Sequence, residues 1–199
     1  MAISIEDPQL TSRALPTELL SLEEKIRTKT CTVGIIGLGY VGLPLSMAFA
    51  ENGINVIGFD IDEKKVESIN AGKSYFKHLN SLLLKELSNR KKIVATSEFS
   101  HAASCDALLI CVPTPLNAHL EPDLQYIIGT CEAIAPFLKK ETLVCLESTT
   151  WPGTTEEIVK PILESQGNLK IGEGLYLAFS PEREDPGNKI YGTKNIPKL

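Results

Sequence analysis

Short apolar runs alternate along this chain with longer segments whose apolar positions recur at helical spacing. The runs are Cys31 to Ile36, Ile54 to Phe59, Ile93 to Ala95, Ala107 to Val112, Leu143 to Leu146 and Leu175 to Phe179. Each is short enough for a strand, and a strand without a polar face must be covered on both sides. Between the runs the pattern predicts helices. One follows the glycine-rich segment after Ile36 and runs to about Glu51, stopped by Asn52-Gly53. Others span Asp62 to about Ala71, Asn80 to Arg90, Asp123 to about Ala135 and Gly153 to Glu164. Leu15 to Lys29 predicts a short amphipathic surface helix, with Leu19, Leu22 and Ile26 on one face. Six strands in this rhythm predict an α/β fold, a doubly wound parallel sheet in the order 3-2-1-4-5-6. Residues 1–30 read as an N-terminal extension carrying the short helix, and residues 31–199 as one domain. After Ser180 the chain turns polar and irregular and stops at Leu199 without closing an element, as a fragment would.

One segment carries chemistry by its spacing. Gly37-Leu38-Gly39-Tyr40-Val41-Gly42 follows the first strand, opens a helix and precedes a second strand that ends in Asp60. Asp60 lies about 18 residues past Gly42, near the ~20 expected of a dinucleotide-binding, Rossmann-like unit. Gly37 permits a tight turn, Gly39 lets a pyrophosphate approach the backbone, and Gly42 lets the helix sit close to the sheet. The helix N-terminus offers unpaired N–H groups to the phosphates. Asp60 can accept hydrogen bonds from the adenosine ribose and would repel a 2′-phosphate, so the expected cofactor is NAD.

Composition narrows the function without fixing it. The net charge is −5, and the densest basic run, Asn89-Arg90-Lys91-Lys92, sits at a helix end, where cations offset the helix dipole. No nucleic-acid partner is expected. No stretch approaches eighteen apolar residues, and residues 1–30 lack a signal-peptide core, so no membrane segment is expected. The five cysteines form no CxxC pair, which fits a reducing cytoplasm, and the three histidines lack metal-ligand spacing.

Five segments together resemble the UDP-glucose/GDP-mannose dehydrogenase family. They are Val33 to Pro44; Phe59-Asp60-Ile61-Asp62 with Lys65-Val66; Val112-Pro113-Thr114-Pro115; Glu147-Ser148-Thr149-Thr150; and Ser180-Pro181-Glu182-Arg183. The resemblance covers about residue 22 to the end. The form Pro-Glu-Arg followed by Pro186-Gly187 is similar to members acting on UDP-N-acetylhexosamines. It implies oxidation of a sugar C6 alcohol to a carboxylate with two NAD⁺ and one water, by way of a cysteine thioester. It implies cofactor contacts from Tyr40, Val41, Lys65, Thr114 and Thr149, the last also helping to place a catalytic water. It implies a catalytic role for Glu182 and substrate contacts from Arg183, Glu184 and Asn188. The family's nucleophilic cysteine, its dimer-forming central helix and its UDP-binding domain are expected beyond Leu199. The chain is therefore expected to bind NAD but not to turn over alone, with a homodimer expected of the full-length family enzyme. A free-standing NAD-binding module of regulatory or scaffold role is the alternative. A hydroxyacid dehydrogenase fits the Thr-Pro turn and Pro-Glu-Arg loop poorly.

Overall fold

The computed structural model describes residues 20–116, 120–167 and 169–181. Six parallel strands form one sheet: β1 (Thr32–Ile36), β2 (Asn55–Phe59), β3 (Ile93–Thr96), β4 (Ala107–Ile110), β5 (Thr142–Leu146) and β6 (Leu175–Phe179). Their order is β3-β2-β1-β4-β5-β6, as the alternation predicts. The helices are α1 (Leu22–Thr28), α2 (Gly42–Glu51), α3 (Glu63–Asn70), α4 (Ser81–Asn89), α5 (Gln125–Ile134) and α6 (Lys160–Gln166). Two apolar clusters cover the sheet. One gathers Ile35, Leu38, Leu43, Met47, Ile69 and Leu84; the other gathers Phe59, Leu108, Ile110, Ile127, Val144 and Leu163. Ile35 and Ile36, neighbours on β1, fall in different clusters, as alternating side chains of a doubly covered strand must.

The differences from the sequence pattern have local causes. The first helix begins at Leu22, not Leu15, because Ser21 and Glu24 form a capping box. Residues 15–19 lie outside the described ones. The apolar run at Ala107 to Val112 leaves the sheet after Ile110, ahead of Pro113. The segment at Gly153 to Glu164 is not one α-helix: Thr155–Val159 is a π-helical turn that passes into α6. Pro161 explains this, since it cannot donate to the carbonyl four residues back and its ring crowds that oxygen. Phe99–Ser104 is a 3-10 helix with no counterpart in the predicted elements.

α1 buries no residue, so packing does not hold it. Charge does. Lys25 Nζ donates to Asp106 Oδ1 at 2.9 Å, Lys139 Nζ lies 3.3 Å from the same oxygen, and the Thr32 N–H donates to Oδ2 at 2.9 Å. Burial alone would raise the Asp106 pKa, but the Thr32 N–H and the two ammonium groups outweigh it and hold the carboxyl below its usual range. A folded pKa below the unfolded value means stabilisation that is complete above about pH 4 and lost as pH falls through the folded pKa. Asp106→Asn should therefore cost about 1–3 kcal/mol at neutral pH. Thermal melts of both proteins from pH 6 to pH 3 should converge on acidification; a gap that stays constant would show that charge is not the cause.

Candidate functional site

A cleft of about 690 Å³ opens at the carboxyl ends of the central strands, where an open parallel sheet binds ligands. The loop from β1 to α2 forms one wall. Gly37 has φ +91°, and a Cβ there would lie 2.8 Å from the Cys111 carbonyl oxygen, so only glycine takes the turn. At Gly42 a Cβ would lie 1.8 Å from the Gly37 carbonyl oxygen, so α2 can approach its own loop only without a side chain. At Gly39 a Cβ would meet nothing within 4 Å, and this residue lines the cleft.

The start of α2 is open to an anion. Side chains cap α1, α3 and α4 through Ser21, Asp62 and Asn80, whereas Val41, which precedes α2, provides no side-chain hydrogen bond. Leu43 already donates to the Gly39 carbonyl and Pro44 has no N–H, so the donors left at this helix start for a ligand phosphate are the Val41 and Gly42 N–H groups, for which no backbone acceptor stands among the described residues. Val41 and Tyr40 both line the cleft, and Tyr40 is 60% exposed there.

Asp60 stands just past β2, buried and held by three donors. The Leu38 N–H reaches Oδ2 at 2.9 Å, Lys65 Nζ reaches Oδ2 at 3.0 Å, and the Asp62 N–H reaches Oδ1 at 3.0 Å. The carboxylate is thus fixed in direction while its cleft-facing lone pairs can accept ribose hydroxyls. Lys65, placed by α3, is an ion-pair partner of Asp60 on the cleft wall.

The opposite wall is sewn from two loops. Thr114 Oγ1 donates to the Thr149 carbonyl at 2.9 Å, and Ser148 Oγ donates to the Val112 carbonyl at 2.7 Å. Thr114 and Thr149 therefore meet at the cleft, brought from the ends of β4 and β5. Cys111 is half-buried on the cleft wall just past β4 rather than inside the strand. Cys31, Cys105, Cys131 and Cys145 are buried. Burial raises the Cys31 pKa and pushes those of Cys105 and Cys131 up to about 12, which keeps all three as thiols. Glu182, Arg183, Glu184 and Asn188, which follow Pro181 in the chain, lie outside the described residues. Among the described residues no cluster of His, Cys, Asp and Glu could hold a metal, and no helix is long and apolar enough to cross a membrane.

Several wall residues have no role assigned to them from sequence. Ile61 is 76% exposed beside Asp60, and Phe99 comes from the 3-10 helix. Tyr126, Gly129, Thr130 and Ala133 come from one face of α5. The apolar spacing of α5 could have marked a face with small residues, but not that it overlooks the cleft.

Comparison with known proteins agrees with this geometry. Residues 31–199 match the family described as "UDP-glucose/GDP-mannose dehydrogenase family, NAD binding domain". The chain is 35% identical over 171 residues to a UDP-N-acetyl-D-glucosamine 6-dehydrogenase of Pseudomonas aeruginosa, covering 86% of this chain and 40% of that protein. It is 37% identical over 166 residues to a UDP-N-acetyl-D-mannosamine dehydrogenase of Escherichia coli K12, covering 78% and 38%. It superposes on a UDP-D-ManNAc dehydrogenase structure from Pyrococcus horikoshii with a TM-score of 0.74 at 34% identity, covering 78% and 37%. The chain thus spans about two fifths of the length of these relatives. An NAD cradle of glycine loop, open helix start and buried acid, matched over most of its length, places this chain in the UDP-glucose/GDP-mannose dehydrogenase family, with NAD as its cofactor.

Proposed function

We propose that this chain is the NAD-binding part of a nucleotide-sugar 6-dehydrogenase acting on a UDP-N-acetylhexosamine. The observation that carries the reading is the cleft itself. Gly37, Gly39, Val41 and Asp60 stand on one wall, and Thr114 bonded to Thr149 stands on the other. The names of the relatives, acting on N-acetylated UDP-sugars, favour that substrate class. NAD⁺ would supply hydride acceptance, twice for each alcohol carried to a carboxylate. The protein's part is to hold it. α2 would face the pyrophosphate, Asp60 the adenosine ribose, and the small and apolar surface of Ile61, Phe99, Gly129 and Ala133 the adenine. Thr114 and Thr149 would border the reacting end.

By resemblance, Glu182 would be the base acting on water, and Arg183, Glu184 and Asn188 would contact the substrate. Residues 31–199 would form the domain, with 1–30 an extension, in a cytoplasmic protein that dimerises at full length. The alternative remains an NAD-binding regulatory module. The test follows absorbance at 340 nm with NAD⁺ and UDP-N-acetylglucosamine. The 199-residue chain should bind NADH yet stay silent, because three of its thiols are held protonated and a fourth is buried. The protein as its source organism makes it should give NADH growth with a UDP-N-acetylhexosamine. Silence there with every nucleotide-sugar would favour the binding module. Turnover by the 199-residue chain would overturn the inactivity and make Cys111 the thiol to replace.

A further inference from the structure

The segment between α3 and α4 plays no part in the cofactor contacts described above, yet it touches the glycine loop twice. The Tyr75 hydroxyl donates to the Leu38 carbonyl, the residue between Gly37 and Gly39. One residue on, the Phe76 ring packs on Tyr40, with centroids 4.7 Å apart and planes tilted by 32°. Phe76 also meets Tyr75 edge-on at 4.8 Å and stacks on His78 at 5.6 Å. The segment is itself braced. The Phe76 N–H donates to Ser74 Oγ at 3.1 Å, Ser74 Oγ donates to the Phe76 carbonyl at 3.0 Å, and Asn80 caps α4.

Leu38 is fully buried, and both of its backbone groups are taken: its N–H by Asp60 and its carbonyl by Tyr75. The carbonyl belongs to the same planar peptide unit as the Gly39 N–H. No peptide bond among the described residues is cis, so that oxygen and that hydrogen point in opposite directions. Gly39 lines the cleft and Tyr75 does not. Fixing the oxygen on Tyr75 therefore turns the Gly39 N–H the other way, and no backbone acceptor takes that N–H among the described residues. A rotation of this peptide would change no side chain on the cleft wall, but it would re-aim one of the donors a pyrophosphate needs.

We propose that Tyr75 is a positioning residue for cofactor binding, acting through the Leu38–Gly39 peptide to aim the Gly39 N–H at the dinucleotide's pyrophosphate. Burial, with the nearby carboxylates of Asp60 and Asp62, raises the Tyr75 pKa, so the phenol stays a donor throughout the working pH range. The hydroxyl is separable from the ring: the ring meets Phe76 edge-on and packs against the core, and the hydroxyl donates to the Leu38 carbonyl.

Tyr75→Phe keeps the ring and removes the donor, so the protein still folds. Three probes separate a phosphate-aiming role from general support: NADH, ADP-ribose and adenosine, which has no phosphate. Calorimetry on Tyr75→Phe should show NADH and ADP-ribose weakened together by about five- to tenfold, the size of one lost hydrogen bond. Adenosine affinity, read by ligand-observed NMR, should be unchanged. In the amide spectrum of the free protein, the Gly39 resonance should move more than those of Ile61 and Thr130. Unchanged NADH affinity would overturn the proposal. Equal weakening of all three ligands would also overturn it, since it would make the hydroxyl a support for the whole cleft.

Discussion

Gly42→Ala is expected to abolish measurable NADH binding while leaving the sheet formed. The added Cβ would stand 1.8 Å from the Gly37 carbonyl oxygen and 3.2 Å from Ile35 Cγ2. Neither neighbour can yield alone. The Gly37 carbonyl shares its peptide unit with the Leu38 N–H, which Asp60 Oδ2 holds at 2.9 Å, and Ile35 is fully buried in the core. The relief left is for α2 to lift from its loop, which carries its N–H groups away from the phosphates. A displacement of about 1 Å at a binding group can cost roughly 100-fold, and overpacking adds about 1–3 kcal/mol of destabilisation. Circular dichroism should keep its α/β form, while an NADH fluorescence titration should fail to saturate. Gly39→Ala is the contrast. Its Cβ meets open space, so the melting temperature should hold while the methyl, entering the cleft, weakens the cofactor. Wild-type affinity in Gly42→Ala would mean that α2 does not hold the phosphates.

Asp60→Ala should turn the cofactor preference as well as weaken it. The carboxylate has two tasks, to face the ribose and to hold Lys65 Nζ at 3.0 Å. Its loss removes the ribose acceptor, which should weaken NADH by about 10- to 100-fold, the size of a hydrogen bond to a charged group. It also frees an ammonium at the place where a 2′-phosphate would sit, so NADPH should gain. The quantity to measure is the ratio of the two dissociation constants by calorimetry. The ratio should favour NADH in the wild type and fall in Asp60→Ala, and the double variant Asp60→Ala with Lys65→Ala should lose the NADPH gain. A ratio unmoved by Asp60→Ala would remove this residue from cofactor selection. The Leu38 N–H also loses its acceptor, so some loss of stability accompanies the change.

The parts of this molecule legible in sequence are those with a short, fixed period. The central strands β1, β4 and β5 are readable because both of their faces are covered, leaving unbroken apolar runs, whereas the edge strands β3 and β6 expose Val94, Tyr176 and Phe179. The loop Gly37 to Gly42 was readable because each glycine answers a backbone demand at a set spacing, and the turn at Gly37 and the crowding at Gly42 now show those demands. The start of α1 could have been read from Ser21 and Glu24, and the irregular turn before α6 from Pro161, since both are local rules. The far wall is different in kind. Phe99, Thr130 and Ala133 reach the cleft only because β1, β4 and α5 come together, and no spacing in the chain encodes that. The Lys65 ion pair with Asp60 is local by contrast: the two residues are five apart, joined across the Asp62-capped turn from β2 into the first turn of α3.

The central place of β1 also governs when the cleft can come into being. Thr32 pairs with Asn55 across a short crossover, but Val33 pairs with Ala107 only after a much longer loop has closed. Closing the longer loop costs more chain entropy, and contacts of such separation slow the search for the native topology. The segment from Cys111 to Thr114 that faces the glycine loop arrives with that second pairing, and the rest of the far wall packs onto it. Cofactor capture therefore reports the distant contact and not the local one: during refolding, NADH fluorescence should rise with the docking of β4 on β1, however early the first strand–helix–strand unit has formed.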